Sequence, residues 1–559
     1  MQTAPFTVMD ASAGSGKTRN LVKAVLLQAL EKAGPETALK PVMAMTFTNK
    51  AAAEMKGRLL EYLIDFASKS PKETGLILEI SDELNLPESK IHERAKQLLK
   101  YLLHHYNDLS FGTIDSFTSR LVRTFAKDLA LAENFEIILD LNKLLAETTD
   151  HVISQAGQDE KLTKMLVAFV EQKLEDEKSW SIDSALTDMA KKLLEERHRE
   201  PLTRLRDFSP EDFEQIRLKL DARRRKLLAT LEKMGAAALK LIEENNIDPT
   251  SFAYGKNGIA SYFTKCLNQQ IADATKVNYR NHYLEKNIWY AGKTPEKEKA
   301  KIDGIKDTLF DLTIAMELYA IENAPFILLS EKIIKNTYAL ATLSALDQAL
   351  HSIEEAQNIL PLAAFNHIIN NKIKDEPAPY IFERLGERYK HFYIDEFQDT
   401  SKMQWENIFP LIENGVASTG SALLVGDAKQ SIYRWRNGEA EQFIDLSKKA
   451  DEGQITPAIP AKNNPLDSNW RSLETIVNFN NALFTNAATF IHDEGYKKLY
   501  AEASQIAKKG AGGYVEVKTL DSNGFVENAL QYTLSQIDQL LLEGFRHRDI
   551  ALLVRSNFD

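Results

Sequence analysis

Gly14-Ser-Gly-Lys-Thr18 places two glycines, a lysine and a hydroxyl within five positions, just after the short apolar run Phe6-Thr-Val-Met-Asp10. Glycines let backbone N–H groups converge on phosphate oxygens, and a helix starting there offers its positive end. In such a loop Lys17 neutralises the β- and γ-phosphates, and the Thr18 hydroxyl completes a Mg²⁺ shell. The whole stretch Ala11, Ser12, Ala13, Gly14, Ser15, Gly16, Lys17 and Thr18 is therefore the candidate nucleotide cradle, with Ala11 where the usual pattern has its first glycine. A chance Gly-rich turn is the bland alternative; a strand before and a helix after argue against it.

A second chemical group, Ile394-Asp-Glu-Phe-Gln-Asp399, ends the apolar run His391-Phe-Tyr-Ile394. Asp395 is placed to hold Mg²⁺, directly or through water, and Glu396 to orient and deprotonate an attacking water. Alone, two acids at a strand end are common in any α/β fold; paired with the loop they mark an ATP and Mg²⁺ site. Asp395 follows Lys17 by 378 positions (395 − 17), far more than a compact nucleotide-binding domain needs. Something large is inserted, which points to a motor rather than a switch.

These groups must be positioned by parallel strands. Phe6–Asp10, Val42–Phe47, His391–Ile394 and Ala422–Val425 are short apolar runs ending in polar residues, as buried parallel strands with sites at their carboxyl ends do. Helices are expected at about 17–32 and at 50–66. From roughly 60 to 105 and 150 to 385 the chain turns long, polar and helical, and reads as one helical domain split in sequence. There Ser209-Pro-Glu-Asp212 reads as a capped helix start, followed by an apolar face of Phe213, Ile216, Leu220, Leu227, Leu231 and Met234. Later, Tyr514–Val517 and Ile550–Val554 read as strands around a helix at 526–542, the opening of a second α/β unit. Two or three strands are few for a doubly wound sheet, so the chain is expected to be the N-terminal part of a longer protein.

At 559 residues, three or four domains are expected. The net charge of −11 excludes global steering toward nucleic acid, so any such binding needs a local basic or aromatic groove. Cys266, the single cysteine, excludes an internal disulfide, a cysteine-based zinc site and an iron–sulfur cluster, and fits a reducing cytosol. The N-terminus has no signal-peptide pattern and no uninterrupted 18-residue apolar run occurs, so a cytoplasmic location without a membrane is expected.

The motif series resembles one family, the superfamily 1A DNA helicases of the UvrD/Rep type, and in particular the RecB/AddA branch that includes the exodeoxyribonuclease V beta subunit. Six segments carry the resemblance in order: 11–18, ThrPheThrAsnLysAlaAlaAlaGluMet at 46–55, PheGlyThrIleAspSerPhe at 111–117, IleAspGluPheGlnAspThr at 394–400, GlyAspAlaLysGlnSerIleTyrArgTrpArg at 426–436 and AsnTrpArgSer at 469–472. They lie in about a third of the chain.

The resemblance implies an α/β fold: a RecA-like P-loop NTPase domain with a large inserted helical domain and the start of a second RecA-like domain. The implied boundaries are 1–60, 106–150 and 385–465 for the first domain (1A), 61–105 and 151–384 for the helical insertion (1B), and 466–559 for part of the second (2A). It further implies that Gln398 and Gln430 sense the γ-phosphate, that Arg471 reaches it, and that Trp470 stacks on the adenine. A buried core tryptophan is the competing reading of Trp470. For single-stranded DNA it implies stacking on Phe47, Tyr433 and Trp435 with Arg436 beside them, and phosphate contacts from Thr46, Thr48, Asn49, Thr113 and Ser116. Strand-end packing is the bland reading of Phe47 and Tyr433, and a solvated helix face that of Arg223-Arg-Arg-Lys226.

The function so implied is an ATP-dependent 3′→5′ DNA helicase or translocase in double-strand-break repair and recombination. It would act on single-stranded and duplex DNA with AddB/RecC-like partner subunits, and the full-length protein would carry an exonuclease. The alternatives are a RecB-like scaffold without productive hydrolysis and an RNA-directed helicase.

Overall fold

The computed structural model describes residues 4–554 apart from 33, 130, 133, 139, 176–180, 206–207, 376–384 and 386–387. It divides into two units. The first comprises 1–114, 382–402 and 408–559, the second 115–381 and 403–407.

The first unit is built on a sheet of seven strands: β1 (Phe6–Asp10), β2 (Val42–Thr46), β3 (Ser110–Thr113), β4 (His391–Ile394), β5 (Ser421–Gly426), β6 (Gln454–Thr456) and β7 (Ile459–Asn463). Their spatial order is β3-β2-β4-β5-β1-β7-β6, parallel throughout except for the β6–β7 pair. Strands buried on both faces read as unbroken apolar runs, which is why Val42-Met-Ala-Met and Ala422-Leu-Leu-Val lie in the core. Register fixes the functional edge. Asp10 lies opposite Gly426, Met45 opposite Ile394, and Thr46 opposite Thr113. The carboxyl ends of β1, β2, β4 and β5 therefore finish on one level, where ligands of open α/β sheets bind.

Helices packed on this sheet include α1 (Lys17–Glu31), α2 (Asn49–Phe66), α3 (Thr74–Leu84) and α4 (Glu88–His104). Leu76, Ile77, Ile80, Ile91, Ala95, Leu98 and Leu102 of α3 and α4 join the same apolar cluster as Leu21 and Val25 of α1 and Met55 and Leu59 of α2. The sequence reading assigned 61–105 to the helical insertion, whereas this packing puts those residues with the sheet. Their polar composition misled, because each helix offers only one apolar stripe.

The second unit is helical. Its two longest described helices are α5 (Pro210–Glu244) and α7 (Glu296–Ala341), and the short α6 (Ile259–Leu267) packs with them. The start of α5 is a reciprocal capping box: the Asp212 amide donates to Ser209 Oγ at 3.2 Å, and the Ser209 amide to Asp212 Oδ2 at 2.9 Å. Its buried stripe differs from the expected one. Phe213 and Leu231 are buried as expected and Leu228, Gly235, Ala238 and Ile242 join them, while Ile216 is exposed and Leu220, Leu227 and Met234 are half-buried. Arg223 lies over the Phe326 ring, 4.2 Å from its centroid, and Arg224 and Arg225 pair with Asp221, so this basic run is largely engaged within the unit.

One helical stretch, within Glu296–Gln357, is long and apolar enough by length and composition to cross a membrane, with a mean hydropathy of 1.4 in its 18-residue window. Its apolar content is partly explained by the core that Leu309, Met316, Ala320, Ala324 and Ile327 share with α5 and α6.

Residues 514–517 and 550–553 form no strand, and Tyr514, Val517 and Leu553 are exposed. A strand exists only where a neighbour takes its N–H and C=O groups, and no described strand lies beside them. The helix between them is present at Phe525–Leu542 but buries no residue. The expected boundary at 384/385 falls beside residues outside the described set.

Gly235 fixes the contact of α5 with α6, since a Cβ there would lie 2.6 Å from the Leu267 amide nitrogen and 2.8 Å from the Phe263 carbonyl oxygen. Both obstacles are backbone. Gly235→Ala is therefore expected to destabilise the helical unit by about 1–3 kcal/mol, read as a lower urea midpoint.

Candidate nucleotide and nucleic-acid site

The loop after β1 is held open by two left-handed glycines, Gly14 (φ +80°) and Gly16 (φ +87°). A side chain at Gly14 would meet the Asn469 amide at 2.9 Å as well as a strained backbone. Ala11 is fully buried and donates its amide to the Gly426 carbonyl at 3.0 Å. It has no positive φ, so an alanine serves there without strain. Helix α1 begins at Lys17 without a side-chain cap, and so leaves first-turn amides for a ligand.

Lys17 Nζ is buried and makes no hydrogen bond; its ion partner is Glu396 Oε2, 3.5 Å away. Asp395 is 5 % exposed, and its Oδ1 accepts the Glu396 amide at 3.0 Å. Burial first, and the Glu396 charge second, push the Asp395 carboxyl up to about 6, against the pull of Lys17. Glu396 itself sits in the left-handed region (φ +50°), strain that a non-glycine residue keeps only where its surroundings impose it.

These features fit a nucleotide phosphate with a divalent cation. A buried ammonium that makes no hydrogen bond, two cradle glycines and an uncapped helix start suit phosphate oxygens, and Thr18 and Asp395 offer hard oxygens of the kind Mg²⁺ prefers. No group of three or more His, Cys, Asp or Glu side chains that could hold a metal occurs among the described residues. Mg²⁺ here would take its remaining ligands from phosphate and water, as it usually does.

Gln398 and Gln430 are committed to protein partners. Gln398 Nε2 donates to Glu396 Oε2 at 2.8 Å and to Asp399 Oδ2 at 3.3 Å, and its Oε1 accepts the Asp427 amide at 2.9 Å. Gln430 Nε2 donates to Asp427 Oδ2 at 2.7 Å, while Lys429 Nζ lies 2.8 Å from Asp427 Oδ1. Both amides thus orient carboxylates at this edge.

Trp470 is 63 % exposed, which removes the core reading, and its amide donates to the Gly14 carbonyl at 2.9 Å. Arg471 is exposed beside it, its Cβ 3.0 Å from the position a Gly14 Cβ would take. Two residues given no role in the sequence reading fasten this segment to the loop. Asn469 Nδ2 donates to the Ala13 carbonyl at 3.1 Å and to Gln505 Oε1 at 2.9 Å; Gln505 Nε2 reaches the same carbonyl at 3.0 Å. Asn469 had a signal in its motif, whereas Gln505, 36 positions on, had none.

Phe47, Tyr433, Trp435 and Arg436 come together. The Phe47 and Tyr433 ring centroids are 4.6 Å apart, those of Tyr433 and Trp435 are 6.1 Å apart, and the Arg436 guanidinium lies 5.1–6.0 Å from all three rings. Trp435 is 70 % exposed. Of the expected phosphate contacts, Asn49 is exposed at the start of α2 and Thr48 caps that helix, accepting the Ala51 amide at 3.2 Å. Thr46 and Thr113 are buried at adjacent strand ends, and Ser116 is an exposed residue of the second unit.

The raised Asp395 carboxyl has a measurable consequence. Between pH 4 and 6 the folded chain keeps a proton there that the unfolded chain has released, so this group's contribution to stability is lost as pH rises through that window. Without nucleotide or Mg²⁺, Asp395→Asn is expected to gain up to about 3 kcal/mol on the wild type between pH 4 and 7 in urea unfolding. A difference independent of pH would refute the assignment.

Known proteins align with this arrangement. Residues 2–451 match the model of the UvrD/REP helicase N-terminal domain. The chain is 24% identical to an ATP-dependent helicase/nuclease subunit of Staphylococcus epidermidis over 85% of its length and 38% of the relative's. With the protein of the same name from Geobacillus kaustophilus the identity is again 24%, over 90% of this chain and 40% of the relative's. A DNA helicase II of Haemophilus influenzae is 33% identical over 33% of this chain and 22% of its own length. The chain thus spans about two-fifths of the helicase/nuclease relatives. A family model covering four-fifths of the sequence, on a parallel sheet whose strand ends assemble the loop, the acid pair and the aromatic cluster, establishes that the chain belongs to the UvrD/REP helicase family.

Proposed function

We propose that this chain is the ATP-hydrolysing, single-strand-gripping part of a 3′→5′ DNA helicase or translocase acting in double-strand-break repair and recombination, in the cytoplasm. The observation that carries the reading is the 3.5 Å approach of Lys17 to Glu396, which stand nearly four hundred positions apart, with the aromatic cluster on the same sheet edge. Lys17 would bind the terminal phosphates, with Arg471 approaching from the segment tied to Ala13 and Gly14. Glu396 Oε would orient the attacking water and accept its proton. Mg²⁺ held by Thr18 and Asp395 would supply charge neutralisation at the transferring phosphoryl group. Trp470, exposed above the loop, would offer its face to the base.

The cluster of Phe47, Tyr433, Trp435 and Arg436 would stack the bases of single-stranded DNA, each worth about 1–3 kcal/mol and with little regard for sequence. Thr48 and Asn49, at the first turn of α2, would meet the backbone. The Staphylococcus and Geobacillus relatives are named helicase/nuclease. By analogy the whole protein would add a nuclease, act on duplex DNA and work with an AddB-like partner. Residues 1–114, 385–402 and 408–465 would form one ATPase domain, with 466–559 contributing the facing segment.

Two measurements test the reading. Lys17→Ala is expected to abolish ATP turnover by the full-length protein; turnover or function that survives the substitution would favour a scaffold. Trp435→Ala is expected to weaken oligothymidylate binding by about 1–3 kcal/mol, roughly 5- to 150-fold. Stimulation of ATPase by RNA and not by DNA would redirect the assignment to an RNA helicase.

A further inference from the structure

The segment following Glu396 is fastened to the loop that carries the aromatic residues. Ser431 Oγ donates to the Gln398 carbonyl at 3.4 Å, and the Glu439 amide to the Thr400 carbonyl at 3.3 Å. Ser401 and Gly438 form an isolated antiparallel bridge. Gly438 is packed so closely that a Cβ would lie 3.0 Å from the Asp399 carbonyl oxygen and 3.1 Å from that of Tyr433. Asp399 sits at the centre of this clamp. It is 5 % exposed, its Oδ2 accepts Gln398 Nε2 at 3.3 Å, and its Oδ1 makes no close hydrogen bond. Burial first, and the Glu396 charge second, push the carboxyl up to about 6, against the backbone amides of Ile432 and Tyr433.

Gln398 closes the connection. One amide group bridges Glu396 Oε2, the partner of Lys17, and Asp399 Oδ2, which faces the amides of the aromatic loop. A buried carboxylate that accepts a side-chain donor, on a backbone packed against Gly438, is costly to move alone. Displacement of the Glu396 carboxylate would therefore draw on Gln398, and through it on the position of Asp399.

We propose that Asp399 is a positioning residue: with Gln398 it links the Glu396 carboxylate to the loop 431–438 and so sets the packing of Tyr433 against Phe47 according to the state of the nucleotide site. The proposal rests on the helicase reading above. It assigns a task to a residue that touches neither the phosphates nor the bases.

The test uses the full chain, wild type and with Asp399→Ala, Asp399→Asn or Gly438→Ala, each checked for cooperative unfolding. Two quantities are read. One is amide hydrogen exchange in 431–437. The other is the ratio of dissociation constants for a labelled oligothymidylate with a non-hydrolysable ATP analogue and with ADP. Asp399→Ala and Gly438→Ala are expected to speed exchange in 431–437 at least about tenfold and to bring the ratio to within about twofold of unity. Asp399→Asn, which keeps an acceptor of the same shape, recovers most of both. Unchanged exchange and an unchanged ratio in a folded Asp399→Ala protein would overturn the proposal while leaving the helicase reading intact. Wild-type protein that binds oligothymidylate in neither nucleotide state would overturn both.

Discussion

The shared level of four parallel strand ends is the constraint on which the site depends. Because Asp10 pairs in register with Gly426 and Met45 with Ile394, the residues just beyond them cannot avoid one another. Four carboxylates gather there, Asp10, Asp395, Asp399 and Asp427, all largely withdrawn from water, against the ammonium groups of Lys17 and Lys429. Such an excess of buried negative charge is costly unless protons or cations offset it. The chain shows the first remedy in the raised carboxyls of Asp10, Asp395 and Asp399. A divalent cation beside Asp395 would be the second. Metal affinity and proton affinity would then be two responses to one desolvated cluster, competing for the same oxygens.

Much of this edge was legible in the sequence, because its signals are local. A short apolar run that ends in a polar ligand states both its strand and its end, and β1, β2, β4 and β5 all match such runs. The convergence of Phe47 with Tyr433, Trp435 and Arg436 came from motif resemblance, since no periodicity joins position 47 to 433. What escaped reading has a common cause: it depends on a partner distant in sequence. Gln505 has no motif of its own, and its role exists only because Asn469 and Ala13 lie beside it. Helices α3 and α4 look like solvated helices until the sheet covers their single apolar stripes. The stripe of α5 was misplaced because Gly235 and Ala238, small residues that admit α6 closely, carry no hydrophobic signal. Tyr514–Val517 has a strand's composition without a strand's neighbour.

Glu396 shows why a strained residue persists at this edge. The left-handed conformation costs about 1–3 kcal/mol for a residue with a Cβ. It is imposed from both sides: the Asp395 amide is held by the Met45 carbonyl at 2.9 Å, and the turn Phe397–Asp399 closes with the Asp399 amide on the Glu396 carbonyl at 3.0 Å. Between these fixed points the chain must reverse in one residue, and that reversal brings the carboxylate to Lys17 instead of continuing along the strand. An aspartate or asparagine would tolerate the backbone better, but its shorter side chain would stop well short of the ammonium. The strain is thus tied to reach.

The same economy governs how an acidic chain would hold a polyanion. With a net charge of −11, long-range repulsion works against association, and only short-range contact remains. Stacking of bases on rings is short-ranged and indifferent to net charge, and one arginine beside three rings adds cation–π attraction in the same place. Contact of that kind is weak per base and insensitive to sequence, so a strand can be released and taken up again one base at a time. Tight, salt-bridged phosphate binding would instead hold the strand still. A grip built from Phe47 and, on the loop clamped to the acid-pair segment, Tyr433 and Trp435 would place the weak contact where a small displacement at Glu396 would alter it.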